Sequence, residues 1–127
     1  MRNIFRAGEF TVGWLAGKIL PPLEIIPVKG HYDWEAKYVK GMSKHIVPAK
    51  ISKKETEYLK RATEKVCKFL NIKGAARMDF MKRGKKFYAL EVNTIPGMTE
   101  TSLLPEAAQA IGLSFDDVVK AIIDDAT

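Results

Sequence analysis

Two short segments in the second half of the chain alternate between polar and apolar residues, and this alternation constrains their structure closely. Residues 75–81 and 87–93 show the pattern, and the basic stretch 82–86 between them contains Gly84. A period of two is typical of a β-strand with two different faces. Glycine supplies the positive φ that a tight turn requires. The pattern predicts a β-hairpin with one polar and one apolar face.

The polar face of this hairpin combines a cationic side chain with oxygen donors. Arg77 shares a face with Asp79, and Glu91 shares one with Asn93, because side chains two positions apart on a strand point the same way. An unbulged register that pairs odd with odd positions puts all four on one face. The other face then carries Met78, Phe80, Leu90 and Val92.

The chemistry of these four side chains suits a metal and phosphate site. Carboxylate and amide oxygens are ligands for Mg²⁺, a carboxylate can bridge two ions, and arginine stabilises a phosphoryl group or an oxyanion. A cross-strand ladder of salt bridges explains the same charges equally well.

The loop after the second strand favours the metal and phosphate interpretation. Pro96-Gly97 is typical of a type II turn, whose exposed backbone N–H groups can hold an anion or a developing oxyanion. Thr99, Thr101 and Ser102 add hydroxyl groups before the next helix.

The remaining elements predict an α+β fold, an antiparallel sheet with packed helices. Strands are expected at 9–15 and at 19–27, where Pro21-Pro22 indicates an edge position or a bulge. The clearest helix runs from Ser52 to Leu70 and starts with a capping box between Ser52 and Glu55. Its predicted apolar stripe consists of Leu59, Ala62, Val66, Phe69 and Leu70. Two further helices are expected at 104–111, before Gly112, and from Ser114 onward.

Residues 30–48 show no sustained helical or strand period and are expected to form a long loop. Lys37 could reach a phosphate, and a lid that closes over phosphates excludes water. Tyr32 and Tyr38 lie on the same loop. Taken alone, the segment is better explained as a surface loop whose aromatic residues pack on the domain.

Bulk composition is that of one globular domain. The 127 residues are 46% hydrophobic and 28% charged, with no apolar run long enough for a membrane span and no signal-peptide pattern. Cys67 is the only cysteine, so it suits a small buried position and a reducing cytoplasm. The net charge of +6 comes from scattered lysines, for which a solvated face is a better explanation than a nucleic-acid footprint. An anionic ligand such as a nucleotide would account for part of it.

Four segments together resemble successive motifs of the D-alanine–D-alanine ligases of the ATP-grasp superfamily, in family order and at family spacing. They are Glu9–Val12 (EFTV), Tyr32–Tyr38 (YDWEAKY), Ala76–Phe80 (ARMDF) and Leu90–Leu103 (LEVNTIPGMTETSL). The resemblance runs from about residue 4 to the end of the chain. It implies the C-terminal part of an ATP-grasp fold, with the N-terminal domain and the first part of the ATP-grasp domain absent from residues 1–127.

The resemblance also implies a reaction, in which ATP phosphorylates one D-alanine and a second D-alanine attacks the acyl phosphate to give D-alanyl-D-alanine. Two Mg²⁺ ions, for which Mn²⁺ could substitute, are expected on Asp79, Glu91 and Asn93. Arg77 would stabilise the transferring phosphoryl group, and the backbone at Gly97 would bind the oxyanion.

The same likeness assigns the remaining substrate contacts. Ser102 and Leu103 would receive the second D-alanine. The residues expected at ATP and at the closing loop are Glu9, Lys37, Met81, Leu90, Tyr32 and Tyr38.

Other expectations follow from the family and from the departures of this chain. Family members are usually cytoplasmic homodimers that act in peptidoglycan synthesis, with no membrane or nucleic-acid partner. Arg2 and Asn3 stand where the family usually has a Glu-Lys pair that reads adenine. The alternative is a non-catalytic module that binds a nucleotide or a partner.

Overall fold

The sheet is built around β1, Gly8–Leu15, which has neighbours on both sides. The computed structural model describes residues 8–27, 43–94, 96, 98 and 102–126. Their strands form one antiparallel sheet in the order β4–β3–β1–β5–β6, and β2 also pairs with β1. The other strands are β2 (Lys18–Ile19), β3 (Leu23–Pro27), β4 (Ser43–Ile46), β5 (Ala75–Arg83) and β6 (Lys86–Asn93).

Two predictions for the first half of the chain need correction. The strand expected at 19–27 is divided into β2 and β3, and Pro21-Pro22 lies between them. Because β3 pairs with both β1 and β4, it is not an edge strand. Residues 43–46, expected to lie in an irregular loop, form β4, since pairing with β3 supplies the hydrogen bonds that the local sequence does not predict.

Helix α1, Lys53–Phe69, covers one face of the sheet, and the capping box at its start is confirmed. The Ser52 hydroxyl accepts a hydrogen bond from the Glu55 N–H at 3.0 Å, and the Glu55 carboxylate accepts one from the Ser52 N–H at 3.0 Å.

The predicted apolar stripe of α1 is only partly right. Leu59 is buried, but Phe69 is 87% exposed and Leu70 is 52% exposed. Thr63 and Cys67 complete the buried stripe because they follow Leu59 at intervals of four residues. The Thr63 hydroxyl donates to the Leu59 carbonyl oxygen at 2.9 Å, which makes its burial acceptable. The prediction that Cys67 is buried is confirmed, and burial raises the pKa of its thiol to about 11.

Helices α2 (Leu103–Gln109) and α3 (Phe115–Ala126) pack on the other face of the sheet, at one end. Their core joins Leu15 and Ala75 of the sheet to Leu104 and Val118. Both predicted helices are present, although the one expected at 104–111 runs from Leu103 to Gln109. The predicted signals at their ends are confirmed: Gly112 adopts φ +90° after α2, and the Ser114 hydroxyl accepts a hydrogen bond from the Asp117 N–H. None of these helices is long and apolar enough to span a membrane. The arrangement confirms the α+β class.

Candidate functional site

Register places the predicted metal-site residues opposite one another on the face that α2 and α3 partly cover. Arg77 of β5 pairs with Asn93 of β6, and Asp79 pairs with Glu91. On the other side of β5, Thr11 of β1 pairs with Asp79. Directly opposed residues on one face have Cβ atoms about 5 Å apart. The prediction that these four side chains share a face is therefore confirmed.

A β-bulge, and not the unbulged register that the sequence suggested, brings these residues together. The two-residue turn Gly84-Lys85 pairs Arg83 with Lys86, and the ladder then runs to Phe80 opposite Ala89. Continued without interruption, it would place Leu90 opposite Asp79. The register instead shifts between Asp79 and Phe80.

The shift leaves Leu90 as the extra residue of β6, and this moves Glu91 opposite Asp79. The apolar face is corrected accordingly: Val92 lies opposite Met78 as expected, but Phe80 faces Ala89 and not Leu90. A bulge commonly re-aims side chains next to functional sites.

Asp79 is the most enclosed member of the group. Its side chain is 2% exposed and that of Arg77 is 4% exposed. Arg77 donates from Nε to Asp79 Oδ1 at 3.1 Å and from Nη2 to Oδ2 at 3.3 Å. The Thr11 hydroxyl donates to the same Oδ1 at 2.7 Å. This network of charge-assisted hydrogen bonds fixes the orientation of the carboxylate and of the guanidinium group.

Exposure rises across the hairpin from β5 to β6. Asp79 is buried, Asn93 is half-buried and Glu91 is exposed. A cation on this face would therefore approach from the β6 side and meet Glu91 first. No three His, Cys, Asp or Glu side chains form a metal-binding group within the described ranges. A metal site on this face therefore needs the amide oxygen of Asn93 in addition to the carboxylates of Asp79 and Glu91. Such hard oxygen donors fit Mg²⁺.

The residues expected at the nucleotide form the next row across the same face. Met81 of β5 pairs with Glu9 of β1 and with Tyr88 of β6. Leu90 is 47% exposed at the bulge, between this row and Glu91. The row is displaced from the Asp79 row by two residues of strand, which is about 7 Å. Tyr88 was not predicted, because its position on this face depends on the bulge.

The start of α2 holds the residues expected at the second substrate. Ser102 is the N-cap residue, but its side chain does not cap the helix. The Leu103 side chain is buried with Leu23 and Ile25, so a substrate would meet its backbone and not its side chain. Before α2, Pro96 is buried and Met98 packs against the Leu15–Leu104 core, which anchors the loop that leaves β6.

Six predicted site residues cannot be compared with the structure. Tyr32, Lys37, Tyr38, Gly97, Thr99 and Thr101 lie outside the described residues. Arg2 and Asn3 also lie outside them. Thr11 is the main site residue that the sequence did not predict. The alternation of residues 9–15 indicates which face of the strand Thr11 lies on, but not that its hydroxyl donates to Asp79.

Solved structures with the same arrangement define the class of fold. The D-alanine–D-alanine ligase of Bacillus anthracis, complexed with ATP, has a TM-score of 0.77 and is 29% identical, over 93% of this chain and 37% of that one. The VanG D-Ala:D-Ser ligase of Enterococcus faecalis has a TM-score of 0.75 and is 28% identical, over 94% and 36%. The fold is therefore that of the C-terminal part of an ATP-grasp ligase.

Sequence comparison gives the family. A family model described as D-ala D-ala ligase C-terminus matches residues 2–124. D-alanine–D-alanine ligases of Syntrophotalea carbinolica and Aquifex aeolicus are 47% and 51% identical, over 94% and 91% of this chain. The chain belongs to the D-alanine–D-alanine ligase C-terminal family. It spans about two fifths of the length of these curated relatives, 39% in both cases.

Proposed function

We propose that this chain provides the metal, phosphate and second-substrate side of an ATP-dependent ligase that joins two D-alanines through an acyl phosphate, for peptidoglycan precursor synthesis. The observation that carries the proposal is the pairing of Asp79 with Glu91 and of Arg77 with Asn93 on one face. The family match and the resemblance to a ligase complexed with ATP support it.

In this proposal Asp79, Glu91 and Asn93 hold two Mg²⁺ ions, or Mn²⁺ in their place. The ions would supply positive charge for the phosphates of ATP. Thr11 and Arg77 hold the Asp79 carboxylate in one orientation, so the least exposed ligand is preorganised. Arg77 belongs to the residue pair next to Asp79–Glu91 on this face, and its guanidinium group is held in place. Its positive charge would stabilise a transferring phosphoryl group.

The other roles follow the geometry of the two rows. Glu9 and Met81 would contact the nucleotide because they lie beside the metal row on the same face, and Leu90 would join them as the exposed residue of the bulge between the two rows. Ser102 and the backbone of Leu103 would hold the second D-alanine at the start of α2. We assign the oxyanion to Gly97, ATP phosphate to Lys37, and closure of the site to Tyr32 and Tyr38.

Ligation requires a second wall of the cleft, since positioning and electrostatics from both sides lower the barrier to phosphoryl transfer. We propose that this wall comes from the N-terminal part of the family fold, in a cytoplasmic homodimer, and that residues 1–127 alone do not turn over. Because the chain spans 39% of its relatives, a non-catalytic nucleotide-binding module is the second candidate.

Calorimetric titration with ATP, with and without Mg²⁺, tests the nucleotide and metal site that both candidate functions require. We expect binding that depends on Mg²⁺ and that weakens about tenfold or more in Glu91→Gln, which removes an exposed charge without changing shape. Asp116→Asn, an exposed change in the first turn of α3, is the matched control. An ATP affinity that changes neither on removal of Mg²⁺ nor in Glu91→Gln would contradict the proposed site.

An ADP-release assay with D-alanine then separates the two candidates. We expect no turnover by the 127-residue chain above a blank without D-alanine, and turnover when the N-terminal part of a family relative is supplied. Mg²⁺-dependent ATP binding without turnover in either case would favour the non-catalytic module. Robust turnover by the chain alone would refute the requirement for a second wall.

A further inference from the structure

The side of α1 that points away from the sheet combines exposed aromatic rings with cations. Tyr58 is 55% exposed and Phe69 is 87% exposed. They are eleven residues apart, so about 16 Å separates them along the helix axis. Lys54, Arg61 and Lys65 lie on the same side at helical spacing, and all three are exposed. We call these five residues the outer face of α1.

The β5–β6 turn extends this surface at the first half of α1. A cleft of about 380 Å³ lies between them and is lined by Lys54, Glu55, Tyr58, Lys85, Lys86 and Phe87. The rings of Tyr58 and Phe87 are 6.1 Å apart between centroids and tilted by 31°. The cleft therefore has an aromatic wall and a cationic rim.

A second open cleft runs along α1 and shares residues with the first. It measures about 810 Å³ and includes Lys53, Arg61 and Lys65 in its lining. Tyr58 and Lys54 line both clefts. The Tyr58 ring thus has open space on two sides, each bordered by cations.

Positive charge exceeds negative charge on this surface, because the two clefts are lined by the carboxylates of Glu55 and Glu57 and by six cations: Lys53, Lys54, Arg61, Lys65, Lys85 and Lys86. Glu55 forms an ion pair with Lys82, whose Nζ lies 2.8 Å from the Glu55 carboxylate. That hydrogen bond is the main cause of the lowered pKa of Glu55, which keeps the carboxylate ionised. Among the described residues, Lys54, Lys85 and Lys86 form no ion pair, and they leave the rim with excess positive charge.

We propose that the outer face of α1, together with the β5–β6 turn, binds single-stranded nucleic acid. Proteins hold single strands by combining a cationic track for the phosphates with aromatic rings on which bases stack. Here Tyr58 and Phe69 are the rings, and the lysines of the helix and the turn are the track.

Charge and shape favour this occupant over two others. An anionic membrane would require an apolar helix face, but the apolar stripe of α1 at Leu59 and Cys67 is buried in the core. An acidic peptide would use the cations and leave the exposed rings unexplained. The sequence favoured a solvated surface because the lysines are scattered along the chain; the fold brings two groups of them together around Tyr58.

The surface is independent of the proposed ligase site, since α1 covers the sheet face opposite the Asp79–Glu91 row. Fluorescence anisotropy with labelled oligo-U and oligo-dT of about 12 nucleotides tests the proposal. We expect binding that weakens steeply between about 50 mM and about 200 mM salt. Tyr58→Ala should weaken it about tenfold, and Glu91→Gln should leave it unchanged.

Charge reversal supplies the matched comparison. The double variant Lys85→Glu/Lys86→Glu should weaken binding at least about tenfold, whereas Lys18→Glu/Lys73→Glu, two exposed positions elsewhere with the same change in net charge, should have little effect. Circular dichroism establishes that each variant is folded. Equal loss in both double variants, no binding at low salt, or unaltered binding by Tyr58→Ala would each overturn the proposal. Stronger binding to anionic vesicles or to polyglutamate than to the oligonucleotides would also overturn it, in favour of those partners.

Discussion

At the scale of single residues, the Asp79 carboxylate is the group on which the candidate site depends. It is buried, and it accepts hydrogen bonds from Thr11 and from Arg77. A buried charge is acceptable only when it is paired, so Asp79 and Arg77 depend on each other in the folded chain. Glu91, directly opposite, is exposed and carries no such structural requirement. In the proposed site, Asp79 therefore has a structural role in the fold, whereas Glu91 has a role only in metal binding.

This division predicts very different costs for two alanine substitutions. Asp79→Ala should lower the free energy of unfolding by about 3–5 kcal/mol, because it removes the carboxylate that forms a buried ion pair with the Arg77 guanidinium. Glu91→Ala should change it by less than about 0.5 kcal/mol, as is usual at an exposed position. Urea denaturation of both variants measures the difference. Similar costs for the two would show that Asp79 is not held as described.

At the scale of elements, the bulge at Leu90 decides which β6 side chains face the site. The sequence predicted the hairpin, its turn glycine and the polar face, because each leaves a local pattern. It did not predict the bulge, since the register depends on the two-residue turn at one end and on packing at the other. Val92 packs against the core under α1, and this fixes Glu91 and Asn93 on the opposite face.

Two single-residue deletions in β6 should therefore differ in their effect on the site: one should retain metal binding and the other should lose it. Deleting Leu90 restores an unbroken ladder from the turn and leaves Glu91 opposite Asp79, so Mn²⁺ binding should stay within about threefold of the parent chain. Deleting Val92 moves Asn93 to the apolar face, and Mn²⁺ binding should weaken by about tenfold or more. Electron paramagnetic resonance of free Mn²⁺ measures both. Loss of binding in the Leu90 deletion, with the fold intact by circular dichroism, would contradict this account of the register.

At the scale of the whole molecule, sequence predicted what is local and missed what is set by long-range pairing. The capping box of Ser52, the caps around Gly112 and Ser114, and burial of Cys67 are all confirmed. β4 was missed because its strand character comes from pairing with β3. Phe69 was misassigned because its hydrophobicity suggested the core, while the helix geometry directs it outward.

The two helical layers share the same central strands, and this predicts that they unfold together. Leu59 in α1 and Leu104 in α2 are fully buried in separate cores on opposite faces of β1 and β5. Each replacement by alanine should cost about 2–5 kcal/mol, from lost burial and the cavity left behind. Ile123→Ala, at a side chain that is 58% exposed, is the control and should cost under about 1 kcal/mol.

Because both cores pack on the same strands, either substitution should shift a single cooperative transition, which tryptophan fluorescence and circular dichroism would both report. If Leu104→Ala instead separates the two signals into distinct transitions, α2 and α3 form a unit that unfolds independently of the sheet.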